Sequence, residues 1–340
     1  MMFKANVAFG LLLIFSFAIA AQQKTEQGRE RGLATRFDAR GQATLPDLFY
    51  LEYQSSLQEL VNNAAKTTIE RFADKKLRED QLSITLIDMR DPNRPVTASF
   101  RGNERIYPAS VVKLFYLVAA HRWLEDKKLQ QTPELTRALR DMIVDSSNEA
   151  TQYVVDVLTQ TTSGYELPAK EMEEWQYKRN AVNRYFSSLG YTNINLNQKT
   201  FCEDAYGRES VSRGPNGENR NKLTTDATAR LMLEIVTGKI ANQARTAAMM
   251  ELLKRDYAGQ SGDRDDQGRG FTGIALQGRE GFRLWSKAGW TSTTRHDVAY
   301  IETPDGAKFV LATFTQGHSS DREIIPTVAR VVIDGLKGVK

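Results

Sequence analysis

The chain of 340 residues carries 46 Lys and Arg against 42 Asp and Glu, a net charge of +4, with 41% hydrophobic and 26% charged residues. That composition excludes disordered, collagen-like and coiled-coil classes, and the near balance of charge argues against nucleic-acid binding. One cysteine, Cys202, excludes an intrachain disulfide and a cysteine zinc site, and three histidines without HxH or HExxH spacing offer no metal centre.

In chain order, Lys4, the apolar run over 7–19 and Ala18-Ile19-Ala20 read as a cleaved signal peptide spanning 1–20. The run is too short to span a bilayer, so no stable membrane insertion is expected. The mature protein is then secreted or periplasmic. Residues 21–45 are polar without a period and read as a linker, leaving one domain over 46–340. Apolar spacing over 46–76 predicts a long amphipathic helix, and alternation over 82–89 and 96–100 predicts two strands. From Pro108 the pattern is helical for most of two hundred residues. Strands over 298–302 and 309–315 form a hairpin around Pro304-Asp-Gly, and a helix over about 321–336 closes the chain. The expected fold is α+β: an antiparallel sheet built from both chain ends and flanked by helices, beside an all-helical part, with a cleft between them.

Three segments carry chemistry. Tyr107-Pro-Ala-Ser110-Val-Val-Lys113 opens a helix that is apolar on nearly all sides. Lys113 lies one turn beyond Ser110; burial there lowers a lysine pKa toward neutrality and makes it a possible base. Ser110 at the helix start gains a favourable field for developing negative charge. The second segment is Ser146-Ser147-Asn148, which alone reads as an N-cap cluster. The third, Trp285-Ser-Lys287-Ala288-Gly289-Trp290-Thr291, alone reads as a strand with a surface lysine and a glycine permitting close approach. His296-Asp297 could suggest a hydrolase dyad, but neighbours on a strand face opposite ways. Trp175 among Glu171, Glu173, Glu174 and Lys178 reads as an exposed helix.

Together, Ser-x-x-Lys, Ser-x-Asn and Lys-x-Gly in this order resemble the penicillin-recognising serine enzymes, most closely the class A β-lactamases. Asn221-Lys-Leu-Thr-Thr-Asp-Ala-Thr-Ala-Arg-Leu adds a local match. The resemblance implies that Ser110 is the acylated nucleophile, Lys113 its activating partner and Ser146 the proton shuttle. Asn148 would hold the substrate amide, Lys287 would face the substrate carboxylate, and Gly289 would let the substrate lie along the strand. The oxyanion hole would use the N–H groups of Ser110 and Thr291. No cofactor or metal is implied, and a monomer acting on a β-lactam or acyl-peptide is expected.

Departures from the family pattern accompany the matches. Ala288 stands where the family has a hydroxyl, implying a weak or narrow enzyme that Ala288→Thr would strengthen. Ser147 replaces an Asp. The deacylating glutamate is Glu209 when counted back from Asn221, the favoured position, and nearer Glu203 when counted forward from Gly190. A penicillin-binding-protein-like peptidase or esterase, or a non-catalytic binding module, are the rival readings.

Overall fold

A computed structural model describes residues 51–202 and 204–339, together with 36–37 and 43–44. The chain divides into two units, Met1–Tyr50 and Leu51–Lys340. In the first, β1 (Arg36–Phe37) pairs antiparallel with β2 (Ala43–Thr44). The signal peptide expected over 1–20 lies outside the described residues, as does the rest of the 21–45 linker.

The second unit opens with β3 (Glu52–Tyr53) and α1 (Ser55–Arg71). Within the described residues the helix is shorter than its apolar pattern predicts: pairing of Tyr53 with Thr97 keeps 52–53 extended, and at the other end a separate 3-10 turn, Ala73–Lys75, follows Arg71. Next come β4 (Leu82–Asp88) and β5 (Val96–Phe100). The helical part holds α2 (Val112–Glu125), α3 (Pro133–Ile143), α4 (Asn148–Thr159), α5 (Ala169–Arg179), α6 (Ala181–Ser188), α7 (Gly207–Arg213), α8 (Thr225–Val236) and α9 (Gln243–Leu253). The chain then returns through β6 (Lys254–Arg255), β7 (Arg283–Trp290), β8 (Thr294–Glu302), β9 (Lys308–Gln316) and α10 (Ile324–Leu336).

The sheet runs β3-β5-β4-β9-β8-β7-β6, antiparallel throughout except for the β3–β5 pair. Both chain ends therefore meet at β4–β9, as the α+β expectation requires. One face of the sheet is covered by α1 and α10, whose Leu57, Val61, Val328 and Val332 pack with Ile84, Leu86 and Leu311. The other face meets α8 and the turn that precedes α2.

β8 begins four residues earlier than its apolar pattern indicates. Arg295, His296 and Asp297 are polar yet buried, because each is bonded to a loop. Arg295 reaches Asp265 at 2.8 Å, His296 reaches the Tyr107 carbonyl at 3.0 Å, and Asp297 accepts the Thr272 N–H at 3.2 Å. The two residues of β6 are too few to leave an alternation, and only their pairing with Leu284 and Trp285 defines them. α2 is buried along almost its whole length, which its uniform apolarity predicts. Among the described residues no helix is long and apolar enough to cross a membrane.

The α1/α10 face of the sheet holds one large cluster of the buried core. Leu86→Ala, in a fully buried strand between β5 and β9, should cost about 2–5 kcal/mol, read as a lower urea midpoint with an unchanged slope.

Candidate active site

Ser110 sits in a 3-10 turn, Ala109–Val111, that runs into α2. Three contacts hold this turn. Ile106 exchanges both backbone hydrogen bonds with Leu223, at 2.8 and 2.9 Å. His296 bonds the Tyr107 carbonyl through Nε2, while its Nδ1 accepts the Thr315 N–H at 3.1 Å, so the ring is the Nε2–H tautomer. Burial pushes the His296 pKa down to about 4, which keeps the ring neutral. Ala109 is left-handed at φ 46°, a conformation that costs a non-glycine residue about 1–2 kcal/mol and persists only where its surroundings impose it. The Ser110 N–H makes no hydrogen bond among the described residues, and its side chain is half-buried.

One turn into α2, Lys113 is fully buried. Its Nζ donates to the Ser146 carbonyl at 2.5 Å and to Asn148 Oδ1 at 2.9 Å, and lies 3.3 Å from Ser146 Oγ. Burial lowers its pKa to about 7, opposed by the nearby Cys202 and Glu149 charges. Ser146 reaches this position because it too is left-handed, at φ 56°, just before Ser147 caps α4 by accepting the Ala150 N–H at 3.0 Å. The cap reading of this segment therefore holds for Ser147, while its two neighbours turn toward Lys113.

Lys287 approaches Ser146 Oγ from β7, at 3.0 Å. Its Nζ also donates to Gln267 Oε1 at 2.6 Å and to the Ala288 carbonyl at 2.8 Å, so three acceptors match the three donors of an ammonium group. Burial and the charge of Lys113 push its pKa well below the usual lysine value. Lys287 is thus no surface lysine. Gln267, absent from the sequence reading, fixes its head: Gln267 Nε2 donates to the carbonyls of Ile143 and Val144 at 3.0 and 2.8 Å. Gln267 lies in a loop without periodicity, so no local signal marks it.

Gly289 is where β7 meets the turn that holds Ser110. A Cβ there would stand 2.7 Å from Ser110 N and 2.9 Å from the Pro108 carbonyl oxygen. Thr291 does not supply the oxyanion donor expected of it, because its N–H is already bonded to the Thr294 carbonyl at 2.9 Å. Antiparallel pairs alternate in their bonding, so with Thr291–Thr294 bonded, the Trp290 N–H points away from β8 to the open edge of β7. The Ala288 N–H points the same way and is taken by Gln267 Oε1 at 3.3 Å. Ala288 itself has no exposed surface and packs with Phe271 and Ile325. A threonine there would overfill that space rather than present a hydroxyl to substrate, which reverses the expected benefit of Ala288→Thr.

This assembly has known relatives. A family model described as the beta-lactamase enzyme family matches residues 64–336. The chain belongs to that family. No curated protein matches the sequence. Among solved structures, a beta-lactamase from Sphaerobacter thermophilus superposes with a TM-score of 0.56 at 19% identity, covering 83% of this chain and 98% of that one. The structure of PBP-A gives a TM-score of 0.58 at 16% identity over 87% of this chain and 100% of its own. A beta-lactamase from Chitinophaga pinensis gives 0.57 at 15% over 81% and 100%. At these identities the likeness is one of fold. Family and fold together support a serine hydrolase of the beta-lactamase or penicillin-binding-protein kind.

Within this beta-lactamase-family fold, Glu209 stands apart from the Ser110 cluster, a correction to its expected role as the deacylating base. Its carboxylate is fully buried and gripped by Arg179, with Nη1–Oε2 at 2.7 Å and Nη2–Oε1 at 2.8 Å. Ser163 Oγ donates to Oε1 at 2.9 Å and Lys199 Nζ stands 3.5 Å from it. Both oxygens are occupied by cations, so neither is free to draw a proton from water. Glu203 lies outside the described residues. The loop residue that meets the site is Phe201, whose carbonyl accepts Asn148 Nδ2 at 3.1 Å. Trp175 is a second correction: it is buried, donates to the Thr162 carbonyl at 3.0 Å and stacks on Arg179 at 4.3 Å. The acidic residues around it concealed a helix that inserts Trp175 and Arg179 beneath the loop.

Two outcomes follow from this geometry. Gly289→Ala drives a Cβ into backbone atoms, so acylation of Ser110 should fall at least about tenfold while the far-ultraviolet circular dichroism is retained. Glu209→Gln leaves the buried Arg179 with only Asp156, at 3.3 Å, as a counter-charge and should lower unfolding stability by about 3 kcal/mol, measured by urea titration.

Proposed function

We propose that this chain is an exported serine hydrolase that opens β-lactam rings through a Ser110 acyl-enzyme, in the manner of class A β-lactamases. The observation that carries the reading is the convergence of two buried lysines on Ser146 Oγ, one turn from a serine at a helix start. Neutral Lys113 takes the Ser110 proton as Ser110 Oγ attacks the lactam carbonyl. The Ser110 and Trp290 N–H groups face the developing oxyanion. As the C–N bond breaks, Ser146 gives its proton to the departing nitrogen and is resupplied from Lys113. Lys287 offers positive charge to the substrate carboxylate, and Gly289 leaves room for the substrate along β7. Water then attacks the acyl carbon and restores the Ser110 hydroxyl. The apolar run over 7–19 supports export to the periplasm or medium.

A second reading, a penicillin-binding-protein-like peptidase, is favoured by the sequestration of Glu209. It differs from the first only in how fast water releases the acyl group. PBP-A is among the similar structures, and a point variant of it has been seen as an acyl-enzyme with penicillin G.

Intact-protein mass spectrometry after adding benzylpenicillin tests both. The wild type should gain the mass of the drug, or hydrolyse it catalytically, and Ser110→Ala should do neither; a folded wild type that gives neither adduct nor hydrolysed drug would defeat the proposal. Rapid loss of the adduct, slowed by Glu203→Ala, supports the β-lactamase, whereas a persistent adduct indifferent to that change supports the peptidase. Lys113 is neutral above its pKa of about 7, so the acylation rate should rise with pH through neutrality and then level off. A flat profile across neutral pH would remove Lys113 as the base.

A further inference from the structure

Beside the nucleophile lies a cavity of about 210 Å³ bounded by Tyr107, Phe201, Thr291, Arg213 and Arg220. Its place relative to the reaction follows from the proton path. The departing nitrogen takes its proton from Ser146, so the leaving half of a substrate lies toward Ser146 and Lys287. The acyl half extends the other way, past Trp290 to Thr291 and the loop that contributes Phe201. The cavity is at that end.

Its charges are unequal in their partners. Lys199 is neutralised by Asp156, at 2.6 Å, and by Glu209. Arg213 is paired with Asp204. Arg220 has no hydrogen bond or ion pair through its guanidinium among the described residues; it lies 4.4 Å over the Tyr107 ring, three residues before Ser110. The Gly214–Arg220 turn seats its stem, since a Cβ on Gly217 would stand 2.8 Å from Arg220 Cδ. Arg105 and Lys222 add positive charge at the neck of the loop, and Lys222 has its pKa lowered by burial and then by Arg220 and Arg105. Among the described residues of the lining the one carboxylate, Asp204, also feels the charge of Arg220 but is spent on Arg213. A guanidinium held flat on an aromatic ring thus faces a cavity whose described cations outnumber its acid and is arranged to meet an anion.

Resting on the serine-hydrolase reading, we infer that Arg220 selects substrates whose acyl side chain bears a carboxylate, which would enter this cavity and pair with the guanidinium. Arg220 acts on choice of substrate and leaves the proton transfers to Lys113 and Ser146.

Benzylpenicillin and carbenicillin differ by one carboxylate on the acyl side chain and make the test. In the wild type, the ratio of acylation rate constants, carbenicillin over benzylpenicillin, should fall as salt is raised. In Arg220→Ala that ratio should be lower at low salt by about fivefold or more and lose its salt dependence. Acylation of the variant by benzylpenicillin reports that its site is assembled. Should the variant be acylated by neither drug, the salt dependence of the wild type decides: a ratio indifferent to salt overturns the inference. An unchanged ratio in Arg220→Ala also overturns it while leaving the hydrolase reading intact. A wild type that is labelled by neither penicillin and hydrolyses neither overturns both.

Discussion

Two lysine side chains, each withdrawn from water, converge on the hydroxyl of Ser146, and the cost of keeping them there organises the structure around it. A buried ammonium is tolerated only where acceptors replace its hydration. Lys113 finds them in the Ser146 carbonyl and the Asn148 amide, which requires the chain to enter α4 through a left-handed residue. Lys287 finds them in Gln267 and the Ala288 carbonyl, which requires the loop before β7 to fold back over the start of α4. The two requirements join the helical part to the sheet across the cleft. The same desolvation that makes these lysines costly brings Lys113 to a pKa of about 7, where it can both accept and return a proton.

A second buried cluster shapes the other wall. The segment from Asn195 to Lys222 is closed at its neck by paired backbone bonds between those residues, at 2.8 and 2.9 Å. Asn221 fastens its inside: its Oδ1 accepts the N–H groups of Asn197 and Gln198 at 3.0 and 2.9 Å, and its Nδ2 donates to the Gln198 carbonyl at 2.8 Å. Beneath the segment, Glu209 neutralises Arg179 and Lys199, and Trp175 shields the guanidinium. A carboxylate in this position stabilises the wall instead of activating water. The wall then presents Phe201 and Arg220 toward the cleft, one through its carbonyl and the other through its charge. The two proposed readings, hydrolase and peptidase, share the Ser110–Lys113–Ser146 cluster and differ at this wall.

Much of the fold was legible in the sequence. The order of two strands, helices, a hairpin and a last helix specified an α+β sheet closed by both chain ends, and the apolarity of 111–120 marked α2 as buried. Ser110, Lys113, Ser146, Asn148, Lys287 and Gly289 were identified because their motifs are local: three or four residues at fixed spacing survive in any reading of the chain. The elements missed in the second unit, β3, β6 and the start of β8, are short or polar and owe their conformation to partners distant in sequence, while β1 and β2 are two-residue strands too short to leave an alternation.

The sequence by itself determined the architecture and the residue types able to carry acyl transfer, because periodicity and short motifs are properties of neighbouring residues. Only the tertiary structure decided which groups those residues meet. It turned Glu209 from a candidate base into the counter-ion of Arg179, since a carboxylate's role depends on which cation reaches it first. It showed the Thr291 N–H bonded to Thr294 and the Trp290 N–H directed to the open edge of β7, since the direction of an N–H follows from the register of β7 on β8. It added Gln267 and Arg220, whose partners lie on other elements and leave no trace in local spacing.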